Sequence, residues 1–491
     1  MAKRVAVIDI GSNSVRMVVY EKTSRFAFHL LHEEKSKVRI SQNAYKHNGY
    51  LQEEPMQRTM LALHDFLKIC DSFKVRKILC VATSALRDAP NKQEFLQAVR
   101  KKLKLNIKII SGEKEAFYGA LSCANLLPKQ TNALTIDIGG GSTELAQIND
   151  KEISNTISLK LGTVRLKELF FDQNDIDGAI AYIDKELNAL EEIDNIETLI
   201  GIGGTFRAIS SAILKEEAYP LNKLHAFEYK AKRLQKYLQK ILEAQTNKEL
   251  KELFIKSNRY DVIKPGALIL QRILKKIDIS HIITSGVGVR EGVYLSDLLR
   301  HSNNRFPTNY NTSVRYILDT HVDDKAFSNN LAHLCKKLFN LTHKYFDIDT
   351  KYKDELTIAA KLYPSGSSVH FYSQNKHSYY IIQSALEYGF THKEITLIAT
   401  LAKYAKKKLP ADEHLKLYEK LLPKEKNETL ALSYILSLAI ALLSHRPRNI
   451  DFSIELKKDT LIISSKEELY LAKIAVEKLE RPSKDFRVKF L

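Results

Sequence analysis

The chain has 491 residues, 44% of them hydrophobic and 27% charged, with a formal net charge of +18. That length exceeds what one hydrophobic core serves, so several domains of the soluble globular class are expected. The basic excess is spread along the chain and not gathered in a tail; it points to a polyanionic partner such as polyphosphate or a nucleotide, and leaves nucleic acid open.

The four cysteines, Cys70, Cys80, Cys123 and Cys335, show no C-x-x-C spacing. This excludes a dense disulfide framework and fits free thiols in a reducing compartment. Met1-Ala2-Lys3-Arg4 runs straight into a strand containing Asp9, too short and too charged for a signal peptide. The most apolar segment, 430–443, is interrupted by Ser433, Tyr434 and Ser437, so it suits a buried helix better than a membrane span. A cytoplasmic protein without membrane contact is expected.

In chain order, the first apolar run holds Asp9, breaks at Gly11-Ser12-Asn13-Ser14 and resumes at Val15, the pattern of strand, tight turn and strand. A helix is predicted over 56–70, then a buried strand over 77–82 that delivers Thr83-Ser84-Ala85-Leu86-Arg87. A helix over 92–103 and a strand over 107–110 lead to Ser111, which can cap a helix over 114–126. Leu127-Pro128 begins a crossover. The opening design then repeats: an apolar run holding Asp137 ends at Gly139-Gly140-Gly141, and Ser142, Thr143 and Glu144 lead into the next run. Further glycine turns follow at Gly201-Ile202-Gly203-Gly204-Thr205 and at 285–292. Residues 301–311 are polar, include Pro307 and read as a linker. Apolar periodicity predicts an all-α stretch over 312–446, and the tail from 451 reads strand, strand, helix, strand.

Glycine needs no Cβ clearance, so such turns let backbone N–H groups close around an anion. A carboxylate at the strand end can hold the Mg²⁺ that accompanies phosphate oxygens. One such turn alone is equally an ordinary glycine-rich hairpin. Two D-I-G-x-x-S hairpins, at Asp9 and Asp137, plus the later turn suggest two similar subdomains that handle phosphate across a cleft.

The motifs D-I-G-S-N-S (9–14), T-S-A-L-R-D-A (83–89), S-G-E-K-E-A (111–116), D-I-G-G-G-S-T-E (137–144), L-G-T-V-R-L (161–166), G-I-G-G-T-F-R-A (201–208) and S-G-V-G-V-R-E-G (285–292) stand in one order. In this the chain resembles the exopolyphosphatase/guanosine-pentaphosphate phosphohydrolase (Ppx/GppA) family, within the actin/hexokinase/Hsp70-like superfamily. The resemblance implies an α/β fold of two actin-like (ribonuclease H-like) subdomains around a cleft, 1–126 and 127–305. A helical domain, 306–446, is similar to the HD-type domain of longer family members, and a small α/β segment, 447–491, closes the chain. An active HD domain needs a His-Asp pair, where this chain has Ala359-Ala360-Lys361. The domain is therefore expected to serve dimerisation or substrate binding, with a residual metal site at His370 and His377 as the lesser alternative.

The implied reaction is removal of a terminal phosphate from inorganic polyphosphate, from guanosine pentaphosphate, or from both. It is phosphoryl transfer to water, which needs charge neutralisation and an oriented nucleophile. Gly11, Ser12, Asn13 and Ser14 on one side and Gly139, Gly140, Gly141 and Ser142 on the other are the expected phosphate cradle, with Gly203, Gly204 and Thr205 opposite. Asp137 and Glu144 are the expected Mg²⁺ or Mn²⁺ ligands, with Asp9 contributing directly or through water. The family pattern places the general base at Glu115; the residues alone leave Glu113 as a competitor. Lys114 departs from the acidic residue many relatives have there. Arg87 is suited to clamp phosphate oxygens bidentately. Arg16, Arg165, Arg207 and Arg290 are further candidates for substrate, or for ion pairs with Glu144, Glu168 or Glu291. Arg259 and Lys264 are candidates for the far end of a long substrate. A homodimer is expected. The alternatives are a catalytically idle binder of guanosine tetraphosphate or another polyanion, and a superfamily kinase or ATPase.

Overall fold

Two hairpins of one design begin the two halves of the first 310 residues. The computed structural model describes residues 3–190 and 196–491, so Met1 and Ala2 of the leading segment lie outside the described residues. In the first half β1 (Arg4–Ile10) turns through residues 11–14 into β2 (Val15–Lys22), and β3 (Phe28–Ser36) follows antiparallel. In the second, β6 (Ala133–Ile138) turns through residues 139–142 into β7 (Thr143–Asn149) and β8 (Glu152–Leu159). Each first strand is apolar on both faces, as a strand covered by helices on both sides must be. Asp9 and Asp137 are the carboxylates in these two strands, each one residue from its strand's end.

The repeat extends to topology. β4 (Lys77–Ala82) and β5 (Lys108–Ile109) add in parallel beyond β1, giving the order β3-β2-β1-β4-β5. β9 (Thr198–Ile202) and β11 (His281–Thr284) add in parallel beyond β6, with β10 (Phe227–Lys230) on the edge, giving β10-β11-β9-β6-β7-β8. Parallel neighbours need crossovers. In the first half these are α1 (Glu53–Ser72), then α2 (Ser84–Asp88) and α3 (Lys92–Leu103). α4 (Gly112–Leu126) links the halves. The second half uses α5 (Thr163–Leu169), α6 (Ile176–Glu186), α7 (Gly203–Glu216), α8 (Ala231–Glu243), α9 (Asn247–Glu252) and α10 (Ile263–Lys276), and closes with α11 (Val289–Leu298).

One core fills between α1, α3 and the first sheet, around Leu63, Phe66, Phe95 and Val99. A larger one gathers Phe206, Ile209, Tyr237, Ile269 and Ile273 on the second sheet. α4, which the expected boundary at 126/127 places with the first subdomain, packs Ala116, Ala120 and Cys123 against Ile148, Ile200 and Ile202 of the second sheet. Its small buried residues let the helix lie close on that sheet, which spacing within the helix does not reveal.

The chain divides into two compact units, residues 1–310 and 311–491. In the second, helices run from Thr312–His321 to Lys426–Leu442. The tail forms a three-stranded sheet from Phe452–Lys457, Thr460–Ser465 and Arg487–Phe490, with a helix at Tyr470–Glu477. It is not a separate body: Phe486 is buried against Tyr345, Phe346 and Tyr434 of the helices. Ala359 and Ala360 are buried. Among the described residues no group of three His, Cys, Asp or Glu lies together to hold a metal, so His370 and His377 gain no third ligand. All four cysteines are free and buried. Among the described residues no helix is long and apolar enough to cross a membrane.

Candidate functional site

The turns of the two hairpins meet. A Cβ on Gly140 would stand 2.8 Å from the Cβ of Ser12, so only glycine admits the second turn this close to the first. Around this junction lies a polar cleft open to solvent. Both turns are braced from behind through their carbonyls. Ser12 and Asn13 accept from the amides of Ser41 and Arg39 at 3.3 and 3.1 Å. Gly139 accepts from Thr163 at 3.0 Å, and Gly140 from Val164 and Arg165 at 2.8 and 3.1 Å. The Gly11 and Gly139 amides close their own turns onto the carbonyls of Ser14 and Ser142, at 3.2 and 2.9 Å, and the remaining turn amides are the donors a phosphate in the cleft would meet. Thus the L-G-T-V-R-L motif is a buttress: a Cβ on Gly162 would overlap the Gly140 carbonyl.

The hairpin register sets the charges. Asp9 is directly opposite Arg16, whereas at the equivalent position of the second hairpin Asp137 is opposite Glu144. Opposed residues have Cβ atoms about 5 Å apart, so the second hairpin confronts two carboxylates. Asp137 also lies against Gly203, whose φ of +78° and missing Cβ make room for it. Burial pushes the Asp9 carboxyl up to about 6, against the opposing pull of Arg290 and Arg16. Burial likewise raises Asp137, opposed by Arg207. Glu144 rises to about 7 through burial, with the Asp137 charge adding to it and hydrogen bonds from Ser142 and Ser158 opposing.

Glu115 enters the cleft from the first turn of α4, which Ser111 caps by accepting from the Lys114 amide at 3.2 Å. Its side chain is only 11% exposed. Burial and the neighbouring Glu144 hold its carboxyl well above the usual range, and Arg87 opposes them. Glu113 lies outside: it is exposed, and its own helix-start amide and Ser111 hold it low. Lys114 turns outward over the rings of Phe117 and Tyr118, at 4.2 and 5.0 Å.

Of the expected residues, Asp9, Gly11, Ser12, Asn13, Ser14, Glu115, Asp137, Gly139, Gly140, Ser142, Glu144, Gly203, Gly204 and Thr205 line one cleft, with Arg16, Arg207, Arg259 and Arg290. Gly141, Arg87, Arg165 and Lys264 are not in that lining. Gly141 faces the hydroxyls of Tyr45 and Ser84. Arg165 donates to the Gly141 carbonyl and to Asp88, both at 2.9 Å, and lies over Tyr45. It fixes the turn from outside. Arg87 is held behind the carboxylates, donating to Glu115 at 3.0 Å and to Ser142 at 3.3 Å. Arg290 pairs with Glu33 at 2.6 Å and also feels the charge of the neighbouring Glu291. Arg207 donates to the carbonyls of Ser285 and Val287 at 2.8 and 3.0 Å. Arg259 spreads over Gly204.

Lys35, Thr163 and Ser84 line the cleft without having been singled out. Lys35 is pushed down to about 8 by burial and by the charges of Arg16 and Arg259. Alternation along β3 could have flagged it, since Glu33 and Lys35 share a face.

The donor set suits a hard divalent cation, since oxygen is the only ligand type among the cleft's acidic groups and Asp9 Oδ1 is buried without a hydrogen-bond partner. It is not a closed cage: among the described residues no three acidic groups converge. Mg²⁺ is commonly held in this open manner, by one or two carboxylates, waters and substrate phosphate.

Residues 18–301 match the Ppx/GppA phosphatase family, and residues 311–480 match its domain III. A bifunctional 3-dehydroquinate synthase/phosphatase of Fusobacterium nucleatum is 34% identical over 298 residues, 57% of this chain and 44% of that protein, so the chain spans less than half of that relative's length. A crystal structure of the Aquifex aeolicus Ppx/GppA family member, 30% identical, superposes with a TM-score of 0.53 over 62% of this chain and 99% of that one. An exopolyphosphatase from Cytophaga hutchinsonii, 24% identical, superposes at 0.56 over 60% of this chain and 97% of that one, a likeness of fold. With two braced glycine turns meeting over buried carboxylates on paired sheets of one topology, and with matches covering both units, this chain belongs to the Ppx/GppA phosphatase family and has its actin-like fold.

Proposed function

We propose that the protein is a Mg²⁺-dependent phosphohydrolase. It would remove the terminal phosphate of inorganic polyphosphate, convert guanosine pentaphosphate to the tetraphosphate, or do both, with Glu115 as general base. The observation that carries this is Glu115 itself: a carboxylate buried in the cleft beside the phosphate-type turns, raised well above its ordinary range by burial and Glu144 and held by Arg87. A carboxylate raised in this way is a stronger proton acceptor than a solvated one. Glu115 would take a proton from a water as its oxygen bonds to the terminal phosphorus, while the bridging P–O bond breaks toward the remaining chain. The turn amides of residues 11–14 and 139–142 would hold the phosphate oxygens, and Arg16, Arg207, Arg259 and Lys35 would hold the phosphates beyond the scissile bond. Asp137 and Glu144, with Asp9 nearby, are the groups that would hold Mg²⁺, which neutralises charge on the transferred group when bound. The helical unit, read as an HD-like domain without its dyad, would serve substrate binding or dimerisation. Of the two activities named for the Fusobacterium relative, only the phosphatase is proposed for this chain.

The test is phosphate release with Mg²⁺ on long-chain polyphosphate and on guanosine pentaphosphate, by wild type and Glu115→Gln. The expected result is release by wild type and a loss of about 10² or more in the variant with binding retained. Binding without cleavage by the wild type would instead make the chain an idle polyanion binder.

A further inference from the structure

The helical unit leaves a group of aromatic rings in water. Its turn at Tyr363–Ser368 leads through residues 369–373 into the helix Gln374–Ala385, and residues 367–373 are all exposed. Phe371, Tyr372 and Tyr380 are 72, 75 and 71% exposed, more than any other large apolar side chain among the described residues. Phe371 and Tyr372 stand edge to face with ring centroids 5.6 Å apart, and His370 lies 5.8 Å from Tyr372. Three such rings within ten residues mark an interaction surface, not a scatter of single exposed side chains.

The charge around the rings is of one sign. Residues 356–386 contain no Asp or Glu and hold Lys361, His370, Lys376 and His377. Lys376 precedes Tyr380 by four residues, so the two share a face of the helix. Beside Lys376, Asn375 donates to the carbonyl of Lys403, the last residue of the helix His392–Lys403. The Lys403 ammonium lies over the Tyr379 ring at 4.8 Å. Lys406, Lys407 and Lys408 come next in the chain and are all exposed. Two acids border this strip. Glu480 accepts from the Leu409 amide at 3.1 Å, and the charge of Glu413 reaches Tyr404.

We infer that this surface binds single-stranded nucleic acid, with unpaired bases stacking on Phe371, Tyr372 and Tyr380 while the lysines hold the phosphates. Every base has a face that stacks on an aromatic ring, and only unpaired strands present it. A linear polyphosphate would engage the lysines and leave the rings without partners. A protein partner fits less well, since Lys is depleted at protein interfaces and a segment with no acid offers no paired charges. This binding goes beyond the phosphohydrolase reading and does not rest on it.

Fluorescence anisotropy on the full chain tests this without reference to turnover. The probe is a fluorescein-labelled single strand of about 12 nucleotides, as RNA and as DNA, with the matching duplex and an abasic strand of the same length as further arms. Wild type is expected to hold the base-bearing single strand at least about tenfold tighter than the abasic strand or the duplex, and the tighter of the RNA and DNA arms names the sugar. Phe371→Ala/Tyr372→Ala/Tyr380→Ala is expected to weaken the base-bearing strand about 10²-fold and to leave the abasic strand unchanged. Lys406→Gln/Lys407→Gln/Lys408→Gln is expected to weaken every strand and to flatten the slope of log Kd against log salt by about two. Circular dichroism and Tm, unchanged in both variants because the altered groups are in water, separate lost binding from lost fold. Equal affinity for base-bearing and abasic strands, no binding of either, or a ring variant that binds as wild type does overturns the inference. A ring variant that loses self-association in sedimentation while keeping the oligonucleotide assigns the surface to a second copy of the chain, and overturns it too.

Discussion

Gly140→Ala tests whether the meeting of the two turns matters to chemistry. The added methyl would stand 2.8 Å from the Ser12 Cβ, 3.3 Å from Val164 Cγ2 and 3.4 Å from the Asn13 amide nitrogen. Carbon atoms pack at about 3.5–4.0 Å, so the first turn must retreat by roughly 1 Å. Ser12 cannot yield by a rotamer change, because its Cβ moves only with the backbone. The backbone is itself held by Arg39 and Ser41. Overpacking of this kind costs about 1–3 kcal/mol of stability. A misplacement near 1 Å between reacting groups costs about 10² in rate. Steady-state phosphate release, well below the variant's Tm, should therefore show kcat lowered about 10²-fold. A Gly140→Ala enzyme with kcat and KM within about threefold of wild type would refute the reasoning, because the turns would then be free to separate without consequence.

Other expectations follow from the buried charges. Arg87→Met removes the cation that opposes the raised Glu115 carboxyl, so the acidic limb of kcat/KM should move to higher pH; an unmoved limb would take Arg87 out of the base's environment. In the helical unit, His414 is pushed down to about 4 by burial and by Lys403. Lys403 donates to Nδ1 at 3.0 Å, which places the ring hydrogen on Nε2, facing the Thr400 hydroxyl at 2.9 Å. A depressed folded value means stability present above the unfolded pKa near 6.5 and lost as pH falls toward 4, at most about 3 kcal/mol. Denaturant titrations between pH 7 and 4 should show that loss in wild type and a flatter profile in His414→Phe. Glu355 is the opposite case, raised to about 7 by burial and then by Glu394. Its contribution is present below pH 4.5 and lost as pH rises through 7, about 1–2 kcal/mol after allowing for its partial exposure. Glu355→Gln should therefore be the more stable protein at pH 8 and show no such advantage at pH 4.5.

What the sequence discloses is local. The strand over 77–82, the helix over 92–103 and the order of the tail are readable because apolar period and glycine breaks are properties of neighbours in the chain. The hairpins are readable for the same reason, and with them the cleft residues of both turns. What is hidden depends on partners far along the chain. Nothing near Arg165 shows that it serves the back of a turn 24 residues away. Nothing in α4 shows that its small residues are shaped for the second sheet. Lys35 reaches the cleft because β3 pairs beside β2, a neighbour relation that its mixed-charge surroundings do not announce. Arg87 has the right chemistry for phosphate, yet a carboxylate claims it first.

α4 and α11 meet main chain to main chain where they cross. Gly292 has no side chain because the Tyr118 carbonyl occupies its place. A junction of main chain on main chain holds no rotamer that could absorb a displacement, so the two helices travel as one rigid piece. Glu115 rides on one and Arg290 on the other. A shift of either helix therefore carries the backbone that bears Glu115 and the backbone that bears Arg290 together, although the two residues lie 175 positions apart in the chain.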